Sequence, residues 1–170
     1  MSSLPKVFLV TALISLNCNY MLNASDSHLI YAVKETPQVK INGNADDPAI
    51  WINKTNIEDS IVFGTDKYNG IYSYDLNGNI LGFSESGSMN NIDLRSINNK
   101  TYIFATDSST NTINLWVYGD TELDRSSKAG KFSLRNNPDF SSDTNFLAYG
   151  ACAGISEDFG LIVFVTEAKG

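Results

Sequence analysis

Three stretches of this chain repeat one pattern: VFGTDKYNGIYSYDLNG (62–78), IFATDSSTNTINLWVYG (103–119) and VFVTEAKG (163–170). Each is an apolar run, then Phe, one residue, Thr and an acid. Phe63 and Phe104 lie 41 positions apart, Phe104 and Phe164 lie 60 apart. Blades of a β-propeller recur every ~40–50 residues, and insertions widen some of them. The repeating unit is a buried strand ending in Thr-acid, a polar turn, and an amphipathic strand such as GIYSYDL or TINLWVY. One blade cannot bury both its faces, so blades stack side by side around an axis. Equivalent strand ends then converge on one face, where the repeated acids Asp66, Asp107 and Glu167 are expected to form a shared rim.

The rest of the chain fits that grammar. Short alternating or apolar runs punctuated by Gly, Asn, Asp and Ser predict strands at 49–52, 61–65, 70–74, 80–84, 101–106, 112–118, 146–151 and 161–166. DLNGN (75–79) predicts a hairpin turn, since Asn-Gly favours the positive φ angles that two-residue turns require. No run of ten residues shows helical periodicity, and 119–143 reads as a long polar connection. Trp51 and Trp116 fall at strand positions and are expected in the core. The expected fold is all-β: a propeller of four-stranded antiparallel blades, of which 170 residues supply about the first three of an expected six. The pattern is still running at Gly170, so the chain is expected to be the front part of a longer protein.

Composition narrows the partners. Lys and Arg number 12 against 19 Asp and Glu, which disfavours nucleic acid and anionic membranes and suits a cation. Lys6 followed by the apolar run 7–16 and a polar, small-residue exit has the form of a secretory signal, with cleavage expected after Ala24. The run is too short to span a bilayer; its alternative is a buried first strand. The expected organisation is thus a signal peptide at 1–24 and a propeller segment at 25–170, in a secreted or periplasmic protein. Cys18 as a lipid-attachment site fits poorly with the preceding Ser15-Leu16-Asn17. Losing residues 1–24 removes one cation and no acid, giving a net charge of −8. It also leaves Cys152 as the one cysteine, so no internal disulfide is expected; in FLAYGACAGI it reads as a small buried residue.

DDPAIW (46–51), GTDKYNGIYSYDLNG (64–78), NNIDLR (90–95) and YGACAG (149–154) together resemble, in order and spacing, a β-propeller phytase over roughly 34–170. That resemblance implies a six-bladed propeller that binds several calcium ions. It implies hydrolysis of myo-inositol hexakisphosphate with release of orthophosphate, by metal-activated water and without a covalent intermediate. The residues suit that chemistry. A net-negative protein needs cations to accept a polyphosphate, and calcium takes six to eight hard oxygens. His28 is the single histidine, which excludes a three-histidine zinc site here. Cys152 lacks a phosphatase loop, since AGISED has neither a glycine-rich cradle nor an arginine. Attack by metal-activated water is the route left.

By the same resemblance, Asp46 and Asp47 match an acidic pair that contacts calcium, with the backbones of Pro48 and Ile92 and the neighbouring Asp93 completing a metal site. Asp-Pro is otherwise an ordinary turn signal. Lys67 matches a phosphate-binding lysine, which alone would read as a solvated surface residue. Tyr149 matches a tyrosine at the calcium–phosphate face and is the expected catalytic residue, although Tyr beside Gly in an apolar run also reads as core. Arg95 is either a bidentate phosphate donor or half of a structural salt bridge. Asn90 and Asn91 are either turn residues or part of the metal loop.

The series departs from the family at one place. A cation is expected after each repeated corner, but here the series is Lys67, Ser108, Ala168, with Lys169 one place late and facing the other way in a regular strand. Each missing charge-assisted bond is worth ~1.5–3 kcal/mol, so two could cost about two to four powers of ten in affinity. The leading expectation is a calcium-dependent phytase acting on inositol phosphates, impaired in this copy. The alternative is a non-catalytic calcium-binding propeller module accompanying a complete phytase domain in the full-length chain. A more distant one is a sugar- or ester-processing propeller sharing only the blade grammar.

Overall fold

In the computed structural model, residues 31–39 and 42–169 are described; the expected signal segment 1–24 lies outside them. Two sheets and a hairpin follow one another along the chain. The first sheet is β1 (Ala45–Trp51), β2 (Ile61–Asp66), β3 (Gly70–Tyr74) and β4 (Ile80–Ser84), in that spatial order. The second is β5 (Met89–Ile97), β6 (Lys100–Asp107), β7 (Thr112–Gly119) and β8 (Phe140–Asp143), again in sequence order. Strands β9 (Ala148–Ser156) and β10 (Gly160–Glu167) form an antiparallel hairpin. Every pairing is antiparallel. The leading strand β5 packs against both β1 and β9, so the three units lie face to face through their inner strands, a propeller-like β arrangement.

The core lies between the units. Ala49, Trp51, Ile61, Phe63, Ile71 and Leu81 of the first sheet meet Met89, Ile92, Leu94, Ile103, Ala105, Trp116 and Tyr118 of the second. Both tryptophans are core residues, as their strand positions imply. Removing this much apolar surface from water is the main driving force that joins the sheets.

The connection 119–143 is more structured than its polarity suggests. It holds a nine-residue helix, α1 (Asp120–Lys128), whose buried residue is Leu123. The helix caps the far end of the first sheet: the Asn53 amide donates to Asp124 at 2.6 Å, and the Ser127 hydroxyl donates to the Asp59 carbonyl. The chain then returns as an extended wedge. Phe132 N–H donates to the Leu81 carbonyl at 3.3 Å, adding this segment to the edge of β4. Phe132 and Leu134 are buried, and the Phe132 ring meets Phe63 and Tyr118 edge-on. A Cβ at Gly82 would lie 2.3 Å from the Phe132 carbonyl oxygen, so only glycine admits the wedge there.

Strands β5 and β8 were not legible in the sequence. The expected hairpin turn at 75–79 is present and joins β3 to β4, with positive φ at Gly78 (+84°) and Gly78 N–H donating to the Asp75 carbonyl. A two-residue turn with positive φ at both positions joins β5 to β6 at Asn98-Asn99, φ 53° and 61°. Cys152 is exposed rather than buried, because it pairs with Phe164 on the open face of the hairpin. Among the described residues no helix is long and apolar enough to cross a membrane.

Candidate functional site

The same irregularity recurs in all three units. Inner strands β1, β5 and β9 each carry a β-bulge that sets two residues opposite the repeated threonine. Asp46-Asp47 oppose Thr65, Asn90-Asn91 oppose Thr106, and Tyr149-Gly150 oppose Thr166. A bulge bends its strand and re-aims side chains. Here it turns the first member of each pair, Asp46, Asn90 or Tyr149, into an equivalent place in successive units. The positions after the acid are equivalent too. The N–H groups of Lys67, Ser108 and Ala168 donate to the carbonyls of Asn44, Ser88 and Leu147 at 2.9, 3.1 and 3.0 Å.

Lys67 is the hub of the candidate site. Its ammonium lies 3.1 Å from a carboxylate oxygen of Asp46 and 5.5 Å from the centre of the Tyr149 ring. Asp46, then Tyr149, holds the lysine pKa above its ordinary value against the opposing effect of desolvation. Tyr149 is 46% exposed, so the cluster faces solvent. A cation held by one carboxylate and one ring face keeps free N–H bonds for an incoming anion. Ser108 and Ala168 put no positive charge at the two equivalent places.

The repeated acids do not form a rim. Asp66 and Asp107 are buried and serve as turn caps. Asp66 accepts from the N–H groups of Asn44 and Tyr68 and from the Asn69 amide. Burial pushes its carboxyl pKa up, but these bonds outweigh that and hold it below the usual value. Asp107 accepts from the N–H and hydroxyl of Ser109. Glu167 is exposed. In the first two units the acid of the motif thus closes the hairpin after the strand.

The candidate metal ligands divide. Asp47 accepts from Ile92 N–H at 3.0 Å, a bond from the first sheet to the second. Asp93, two positions beyond the bulge of β5, makes a similar bond from the second sheet to the hairpin, accepting from Ala153 N–H at 2.7 Å, and its other oxygen accepts from Leu94 N–H and pairs with Arg95 at 2.7 Å. Arg95 is therefore tied to Asp93, and no contact among the described residues joins it to Lys67. Pro48 and Ile92 directly follow the bulges. No three carboxylate, thiol or imidazole groups among the described residues gather closely enough to hold an ion by themselves. One feature does suit a hard cation. The Asn90 side-chain oxygen is an unpartnered acceptor among the described residues, on a residue only 3% exposed. Thr65 donates to the Asn90 backbone carbonyl at 2.8 Å, which fixes that residue beside the first sheet. Asp46, Asp47 and Asn90 thus offer hard oxygens of the kind calcium takes, with partners to be added from carbonyls or water.

Sequence reasoning brought out Lys67, Asp46 and Tyr149, and the structure brings those three together. It overlooked the threonines. Thr is the one polar residue repeated without change at all three corners, a repeat that marks the position but not the partners of its hydroxyl.

Inner-strand bulges repeated from unit to unit, with a lysine, a carboxylate and a tyrosine gathered from two of the units, define a propeller-like β protein with a solvent-facing Lys67–Asp46–Tyr149 cluster. The family model described as phytase matches residues 1–137. The chain is 38% identical over 82 residues to the 3-phytase of Bacillus subtilis (strain 168), a match covering 48% of this chain and 21% of that protein. The chain belongs to the phytase family, as its motifs indicated. It spans about a fifth of the length of that curated relative.

Proposed function

We propose that this chain is part of a calcium-dependent hydrolase that releases orthophosphate from phytate. The observation that carries the reading is the Lys67–Asp46–Tyr149 cluster on a chain of the phytase family. In it Lys67 grips a substrate phosphate through charge-assisted hydrogen bonds. Tyr149 walls the lysine and stands at the reacting face. Asp46, Asp47 and the Asn90 oxygen, unpartnered among the described residues, are the oxygens offered to calcium, and the backbones of Pro48 and Ile92 and the carboxylate of Asp93 are the further ligands this reading calls on. Bound calcium would supply neutralising charge and an acidified water. An Arg95–phosphate contact would need that guanidinium to release Asp93. The remaining blades of a six-bladed ring and export through a signal at 1–24 belong to the same reading. The deciding experiment is phosphate release from phytate by the full-length protein, with calcium and with a chelator. Release that a chelator does not reduce overturns the calcium mechanism, and no release at all overturns the enzyme.

A second reading has its own support. Ser108 and Ala168 occupy places geometrically equivalent to Lys67 and carry no charge. A non-catalytic propeller module, binding calcium and an inositol phosphate beside a complete phytase domain, would tolerate that loss. Calcium and phytate binding by calorimetry without turnover would select it.

A further inference from the structure

We infer that Thr106 is a positioning residue that holds Tyr149 over Lys67 by linking the second sheet to the β9–β10 hairpin. Its hydroxyl uses both its faces. It accepts from Asn91 N–H at 3.1 Å, within its own sheet, and donates to the Tyr149 carbonyl at 2.7 Å, in the next unit. Thr65 makes the same pair of bonds one unit earlier, accepting from Asp47 N–H at 2.9 Å and donating to the Asn90 carbonyl at 2.8 Å. Both threonines are buried. Each faces a bulge, where the ladder is locally broken and two inner-strand residues oppose one. The hydroxyl takes one bulged N–H in its own sheet and binds the carbonyl of the bulged residue next door. It therefore fixes the height of one inner strand against its neighbour at the level of the site. Serine could make both bonds, and valine, of nearly the same shape, could make neither.

The consequence for the cluster is specific. Tyr149 is the first bulge residue of β9, and the Thr106 bond acts on its own backbone. No other side-chain hydrogen bond to the Tyr149 backbone is present among the described residues. Release of that carbonyl frees the ring from Lys67, while the Lys67–Asp46 pair, within the first sheet, stays. In the proposed reaction, on which only the kinetic part of this inference rests, Thr106 acts through Tyr149 and touches no substrate.

The test uses the full-length chain with Thr106→Val, Thr106→Ser and, as a control, Thr101→Val. Thr101 is equally buried in the same strand, and its hydroxyl bonds Asp120 at 2.7 Å, at the end of β6 away from Thr106. The first readout is the rate at which a small anhydride acylates Lys67, followed by mass spectrometry of its peptide. Loss of the ring face should speed acylation in Thr106→Val by about two- to five-fold, the effect of a cation–π contact of ~0.5–1 kcal/mol. Thr106→Ser and Thr101→Val should label like the wild type. Equal labelling of Thr106→Val and Thr101→Val overturns the inference. If Thr106→Val does not fold, hydrogen exchange on the wild type decides. The Asn91 and Asp47 amides should be as protected as ladder amides, and rapid exchange at both overturns the inference. The second readout is kinetic, with kcat/KM for phytate falling in Thr106→Val and restored in Thr106→Ser. A chain that shows the labelling pattern but never hydrolyses phytate keeps the positioning role and loses only the proposed reaction.

Discussion

The Lys67 ammonium stands 5.5 Å from the centre of the Tyr149 ring, although the two residues belong to different units of the fold. Any anion that Lys67 takes is therefore met by the first sheet and the β9–β10 hairpin together. That relationship makes Lys67 the residue whose loss is felt most. Lys67→Ala in the full-length protein should raise KM for phytate by about tenfold or more, the effect of one charge-assisted bond. Steady-state kinetics check this; an unchanged KM removes Lys67 from the binding site.

The empty places in the cation series offer the converse experiment. Ser108→Arg and Ala168→Lys put charge at positions that share Lys67's backbone geometry. Each should increase kcat/KM for phytate by up to about tenfold, at ~1.4 kcal/mol per contact. A double variant that binds calcium yet stays at the wild-type rate would favour the binding-module reading.

Calcium should raise the thermal midpoint of the full-length protein, because a ligand held only by the native state adds RT ln(1 + [L]/Kd) to stability. Asp46→Asn and Asn90→Ala should each reduce that increment. Melts with calcium and with a chelator that coincide would exclude calcium as a structural ligand.

Asp66 predicts a pH dependence. Its folded pKa lies below 3.8, so its ionised form stabilises the fold above that value, and the contribution disappears as pH falls through the folded pKa. Asp66→Asn should lose about 1–3 kcal/mol near neutrality, where the buried carboxylate's donors lose their charged acceptor. The gap between the two proteins should then close in acid. Denaturant titrations at several pH values test this, and a gap independent of pH assigns the effect to packing instead.

Gly82→Ala tests the wedge. The added methyl meets the Phe132 carbonyl oxygen, a backbone atom that cannot swing aside. A loss of about 1–3 kcal/mol is expected, as for other overpacked sites. Gly154→Ala, within β9 and with nothing within 4 Å of its Cβ position, serves as the neutral comparison.

The regular elements were legible where side-chain alternation is strong, as in GIYSY and TINLWVY. Strand β5 escaped because Asn90, Asn91, Asp93 and Arg95 interrupt it, and Asn-Asn reads as a turn. In the fold the two asparagines form a bulge between the buried Met89 and Ile92. Strand β8 is four exposed residues on an edge, with no apolar face to betray it. In the site, the lysine, the aspartate and the tyrosine could be named from the motifs. The threonine links could not, because a hydroxyl's partners in another unit leave no trace in local sequence. Cys152 and Phe164 misled for a related reason. Phe63 and Phe104 are 0% and 5% exposed against a following unit, whereas Phe164, at the equivalent place in the hairpin, is 60% exposed.

The wedge also bears on how the chain acquires its structure over time. Strand β4 receives its outer hydrogen-bonding partner from Phe132, and Phe63 its ring neighbour, about fifty to seventy residues later in the sequence. As the polypeptide leaves the ribosome, the first sheet cannot finish its core when its own four strands have emerged. It waits for β5, β6, β7 and α1 to pass before the return segment can close over it. The first two units should therefore gain protection together, as one cooperative foldon rather than as successive steps.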